Sequence, residues 1–281
     1  MTADTPNPPP LPGTATPRWL WLQTPAGRLL LIGLLFVLLQ VPLHMIEGLA
    51  QERQGRRDMA MTEVAATWGG RQNIIGPLLR LPYRDIDSSG AWKSEQARYA
   101  YVLPAQLEID AEVRGMLRRR GLFEAPVYTA DLALAGRFRR PDLSALVPDA
   151  QAIDWVHAAL IVGVSDPRAL HADGSVAWNG AVQALRPSTG DDAELALAGL
   201  HVPLDLSGAG AFRDGEASFD IRLSLGGAAG LDFAPLGEQT VAKLRSDWTS
   251  PSFQGAWLPV RNAVRSDGFD ADWSISYLGR S

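Results

Sequence analysis

No cysteine occurs anywhere in the sequence, and histidine occurs only four times. The missing thiols exclude disulfides, thiolate metal sites and a cysteine nucleophile, but leave the compartment open, because a chain without cysteine tolerates an oxidising space well. His44, His157, His171 and His201 form neither H-x-x-x-H nor H-E-x-x-H, so the ligand spacing of a zinc site is absent. His157 is read within an apolar strand. A G-x-S-x-G elbow, a Walker A loop and a dinucleotide fingerprint are also lacking. Positive charge is not in excess: the net charge is −5, whereas a nucleic-acid binder needs a basic face to replace phosphate counterions. These absences set the expectation of no catalytic residues, no cofactor, no metal and no nucleic-acid partner. Gly226-Gly227-Ala228-Ala229-Gly230 is glycine-rich but precedes no helix N-terminus, so it reads as a loop between strands. Asp191-Asp192 with Glu194 reads as a solvated acidic turn.

What is abundant is glycine (27), proline (20) and one long apolar run. Residues 1–28 are proline-rich without apolar period and are expected to be a disordered cytoplasmic tail. Between Arg28 and Glu47 no charged residue occurs, and Leu, Ile, Val and Phe dominate. A run of about 18 or more such residues spans about 30 Å of hydrocarbon at a rise of about 1.5 Å each, so residues 29–49 are expected to be a transmembrane helix. Trp19, Trp21 and Arg28 stand where interfacial residues gather. Arginines flank both ends and do not orient the span by count. The short leading tail, and Glu47 and Glu52 opening the far side, favour an N-terminus inside and the rest of the chain outside the cytoplasm. A cleaved signal peptide is the competing reading, with Gly48-Leu49-Ala50 as its cleavage site and Gln51 as the new N-terminus.

Residues 50–70 carry helical spacing ending at Gly69-Gly70, and are expected to be a helical connector. Beyond them the apolar period changes to two. Strands are expected over 74–83 (an edge strand, broken by Pro77 and Pro82), 99–103, 106–113, 127–138, 155–164, 218–225, 231–233, 240–246 and 269–278, with turn residues between them. The fold class is therefore mainly β: an antiparallel, sandwich-like extracytoplasmic domain over residues 71–281. Trp92, Trp155, Trp178, Trp248, Trp257 and Trp273 are expected to anchor its core, each burying on the order of 200 Å². Arg118-Arg119-Arg120 is the sharpest charge cluster. It reads as a solvated strand end, with anionic lipid headgroups as its candidate contact.

One segment is specific enough to suggest kinship. Ser246-Asp247-Trp248-Thr249-Ser250-Pro251-Ser252-Phe253-Gln254-Gly255-Ala256-Trp257-Leu258-Pro259 resembles the S-x-W-P/T-x-P-S-F-x-G-x-F/W-L-P segment of the CreD family, with Trp248, Pro251, Phe253, Gly255 and Pro259 as its marker positions. Ile75-Gly76-Pro77, Pro126-Val127-Tyr128, Val162-Gly163-Val164-Ser165-Asp166-Pro167-Arg168 and Gly268-Phe269-Asp270-Ala271-Asp272-Trp273-Ser274 agree in order. The resemblance implies a bacterial inner-membrane protein with an N-terminal anchor, a large periplasmic domain and further transmembrane helices, of which this sequence contains only the first. It also implies expression tied to a two-component system, effects on envelope stress or β-lactam response, and no catalytic residues. The expected function is a non-enzymatic contribution to cell-envelope integrity, with the lipid bilayer and an envelope protein or glycan as partners. A ligand-sensing domain signalling through the anchor is the alternative.

Overall fold

The computed structural model describes residues 24–84, 98–144, 153–171, 174–189 and 198–280. The chain divides into two units, Met1–Asp58 and Met59–Ser281. The described part of the first is most of a long helix, α1 (Pro25–Trp68), whose end belongs to the second. Pro25 opens α1 where its missing N–H costs nothing, and Thr24 caps the first turn by accepting from Gly27 N at 3.2 Å. The described large apolar side chains between residues 29 and 46 are 50–71% exposed, and apolar residues occupy every side of the helix there. A helix apolar all round buries itself in hydrocarbon, and this one is long enough to span it. α1 continues without interruption through Pro42, through the Gly48-Leu49-Ala50 segment and through Gly55, so span and connector are one helix.

The second unit is built from two sheets. Its strands are β1 (Gln72–Tyr83), β2 (Arg98–Val102), β3 (Gln106–Arg120), β4 (Phe123–Arg139), β5 (Ala158–Val164), β6 (Ser175–Trp178) and β7 (Ala181–Ala184). They are followed by β8 (Arg186–Pro187), β9 (Gly199–Leu204), β10 (Glu216–Ala228), β11 (Leu231–Phe233), β12 (Gln239–Ser246), β13 (Arg261–Arg265) and β14 (Gly268–Ser276). The smaller sheet has the order β11-β1-β5-β9-β8, with β2 also on β1; the larger runs β13-β14-β12-β3-β4-β10-β6-β7. Alternation along β3, β4 and β10 sends Leu107, Ile109, Leu132, Leu134, Ile221 and Leu223 inward, where they meet Leu160, Val162 and Val202 of the smaller sheet in one apolar core. Phe138 lies against Phe219 at 5.3 Å and Trp178 at 5.9 Å between ring centres. All seven residues of β5 are buried, as its unbroken apolar run requires.

The mainly-β class with one N-terminal helix is what the sequence pattern indicates, but five details differ. The sheets are mixed, because β1 pairs β11 and β3 pairs β12 in parallel. Parallel pairing needs long crossovers, and short-range alternation carries no information about them. β1 is an interior strand rather than an edge: it pairs β5 on one side, β2 and β11 on the other. Its prolines are accommodated because the β1–β5 register shifts between Ile75 and Leu78, leaving Pro77 outside the ladder, and that ladder ends at Arg80, before Pro82. Gly226-Gly227-Ala228 belongs to β10 and pairs Thr129, Tyr128 and Val127 rather than forming a loop. Here glycine makes room, since a Cβ on Gly227 would lie 2.2 Å from the Tyr128 hydroxyl oxygen. His157 is exposed in the turn before β5, its Nδ1 2.8 Å from Asp154 Oδ2. The short strands β6 to β9 and β13 lie in stretches where the sequence pattern gave no strand.

Candidate functional site

β12 and β14 contribute no side chain to the main buried cluster, although Ala242 and Leu244 of β12 pack against it. Their inner face is covered differently. The segment between Ser246 and Arg261 leaves the sheet, folds over that face and returns as β13. Between this lid, the edge strand β11 and the sheet floor lies an open groove of about 590 Å³. Ile109, Val113, Ala242, Leu244, Trp273 and Ile275 line its floor, and Leu231 and Phe233 line one wall.

Each attachment of the lid follows from a particular residue. Past the end of the β3–β12 ladder, Gly115 N donates to Asp247 Oδ1 at 2.7 Å. Gly115 also admits the Trp248 ring, because a Cβ there would come within 2.6 Å of it. Trp248 N donates to Ser246 Oγ at 3.1 Å. Phe253 is gripped edge-on by Phe269 and Trp273, at 5.6 and 5.7 Å between ring centres. The Trp273 indole N–H donates to Trp257 O at 3.2 Å, and Val260 N to Asp272 O at 2.8 Å. Gly255 turns the chain at φ +110°, a conformation that side chains disfavour.

At the mouth, Arg71 Nη1 donates to both Asp232 carboxylate oxygens, at 2.9 and 2.8 Å, with both side chains about half exposed. Tyr128, also lining the groove, donates its hydroxyl to Gly230 O at 2.7 Å, and burial raises its pKa well above the ordinary value. Beside it sits Trp68, the last residue of α1. Its indole N–H donates to Tyr128 O at 3.0 Å, Arg118 stacks over its ring at 4.6 Å, and His171 meets it edge-on at 5.8 Å. None of the four histidines lines the groove, whose polar side chains are hydroxyls, Gln254 and the Arg71–Asp232 pair. Such a lining is mostly apolar, with few polar groups, as ligand-holding concavities usually are.

Residues 24–281 match the family model described as "Inner membrane protein CreD". The chain belongs to the CreD family. Inner membrane protein CreD of Escherichia coli (strain K12) is 26% identical over 249 residues, covering 87% of this chain and 54% of that protein. The chain thus spans about half the length of the curated relative it matches. No solved structure matches it significantly. CreD is named as an inner membrane protein, not as an enzyme, and among the described residues α1 is the helix long and apolar enough to cross a membrane.

The segment on which the CreD resemblance was read is the lid itself. Trp248, Pro251, Phe253 and Gly255 all line the groove, while Pro259 lies beyond it, just before the return to β13. Of the tryptophans expected in the core, Trp178 is buried and Trp155 packs against the core. Trp248, Trp257 and Trp273 line the groove instead, because the inner face of β12 and β14 lies outside the buried cluster. Arg118 and Arg119 have partners inside the protein: Trp68 for the first and Glu124, at 2.6 Å, for the second. Arg120 ends β3 opposite Phe123. Arg28 lies in the first turns of α1 and its backbone N–H donates to Thr24 O. Trp19, Trp21, Trp92, Asp191, Asp192 and Glu194 lie outside the described residues. The Arg71–Asp232 pair and the Trp68 socket were missed: their partners stand 161 and 60 positions apart, with no local pattern linking them.

Proposed function

We propose that this CreD-family chain is a non-catalytic inner-membrane protein whose β unit lies outside the cytoplasm and supports envelope integrity by holding an apolar envelope component in the lidded groove. The observation that carries this reading is the groove, an apolar concavity of ligand size whose lid is the family's signature segment. A glycan suits it less than an apolar molecule. Sugars stack on free ring faces, whereas Phe253 is flanked edge-on by Phe269 and Trp273. The test is complementation with Ala242→Phe, which fills the groove floor, in a strain lacking the protein. The variant, confirmed folded by its melting temperature, is expected to leave cells as sensitive to detergent as the empty strain. Full protection by this variant would contradict the reading.

A second reading, a sensor signalling through the anchor, is favoured by one contact. Tyr128 lines the groove and also accepts the Trp68 hydrogen bond at the end of α1, so a change at the groove wall would reach the helix through a single residue.

A further inference from the structure

The groove has a polar mouth of unusual composition. Arg71 and Asp232 are half exposed, and an exposed ion pair contributes little to stability. Yet Gly230 leaves space for Arg71: a Cβ there would come within 2.8–3.0 Å of the guanidinium. One cation and one anion therefore stand side by side at the opening of an apolar, aromatic-lined channel, in a chain carrying a membrane-spanning helix.

Resting on the groove reading above, we propose that its occupant is a zwitterionic phospholipid bearing a primary ammonium, with an acyl chain along the groove and its headgroup on the Arg71–Asp232 pair. The guanidinium donates to the phosphate in the bidentate geometry that Arg favours, and the Asp232 carboxylate accepts from the ammonium. Leu244, Phe253 and Trp257 remove the acyl chain from water. The charge match also predicts selectivity. An anionic glycerol headgroup satisfies Arg71 but brings no cation to Asp232. A choline headgroup has the right net charge but no N–H to donate.

The experiment equilibrates the purified full chain with mixed micelles of equal phosphatidylethanolamine, phosphatidylglycerol and phosphatidylcholine, washes it, and quantifies retained lipid by mass spectrometry. The expected result is stoichiometric retention of phosphatidylethanolamine, enriched about tenfold over the other two. Arg71→Gln with Asp232→Asn is expected to abolish the enrichment, and Ala242→Phe to abolish retention. Should Ala242→Phe fail to fold, Ala256→Trp fills the groove from the exposed lid. No retained lipid, equal retention of all three headgroups, or retention unchanged in the groove-filled variant each overturns the proposal, the last by placing the lipid elsewhere on the chain. A polypeptide occupying the groove instead also overturns it. If lipid is absent while Ala242→Phe still fails to protect cells, the lipid assignment falls and the groove reading stands. If that variant loses the lipid but protects cells fully, the groove reading itself falls.

Discussion

Gly255 illustrates how a single backbone angle holds the lid. Nothing lies within 4 Å of a Cβ built there, so the site has space, but φ is +110°. Gly255→Val therefore meets a conformational penalty and no clash, expected at roughly 1–3 kcal/mol. Denaturant titration of the full chain should show a lower midpoint, and an unchanged midpoint would contradict this account. Tyr128 offers a test by pH. Its ordinary pKa is near 10, and burial raises it in the folded state. Its contribution is thus fully present below pH 10 and is lost as pH climbs above that value, because the unfolded chain ionises first. Tyr128→Phe should lower stability near neutrality by about 1 kcal/mol, through loss of the bond to Gly230 O, and flatten the fall in stability above pH 10. A slope identical to that of the parent chain would show that another group governs alkaline unfolding. Gly255 was marked in the sequence by its motif. The roles of Tyr128 and Gly115 were not, since both depend on what approaches from a distant segment.

At the scale of elements, legibility followed periodicity. β4, β10 and β12 overlap the stretches where strands are expected, β10 running on through Gly226-Gly227-Ala228, while α1 is legible from its unbroken apolar run. β3 and β4 extend further than expected, because Arg118, Arg119 and Arg120 break the apolar pattern while their backbones continue the hairpin ladder. β1 looked like an edge strand because proline usually cannot sit in a sheet interior; its bulge supplies the exception. Helix α1 ends in a socket that only the folded β unit supplies. Trp68→Ala removes the hydrogen bond to Tyr128 O and the ring contacts of Arg118 and His171. Trp68 is partly exposed, so the expected loss is about 2 kcal/mol, below that of a fully buried tryptophan. Limited proteolysis should then cut faster near Gly69-Gly70, whereas an unchanged cleavage rate would mean that the socket does not hold the helix end.

For the molecule as a whole, composition and pattern were enough to indicate a membrane helix followed by a β unit. The groove was not legible. It lies where β12 and β14 stand outside the main buried cluster, and the strand order that brings them beside β3 is not visible in local periodicity. The segment that carries the family resemblance lines the groove, but from sequence it reads as a string of turns and aromatics until Phe253 is seen between Phe269 and Trp273.

The proposed role requires the groove to face the envelope, and protease treatment of spheroplasts carrying the full chain tests this most directly. The account predicts digestion of the β unit from outside, leaving a membrane-bound fragment that contains α1. A β unit protected until the membrane is broken, or one released with Gln51 as its N-terminus, would contradict it.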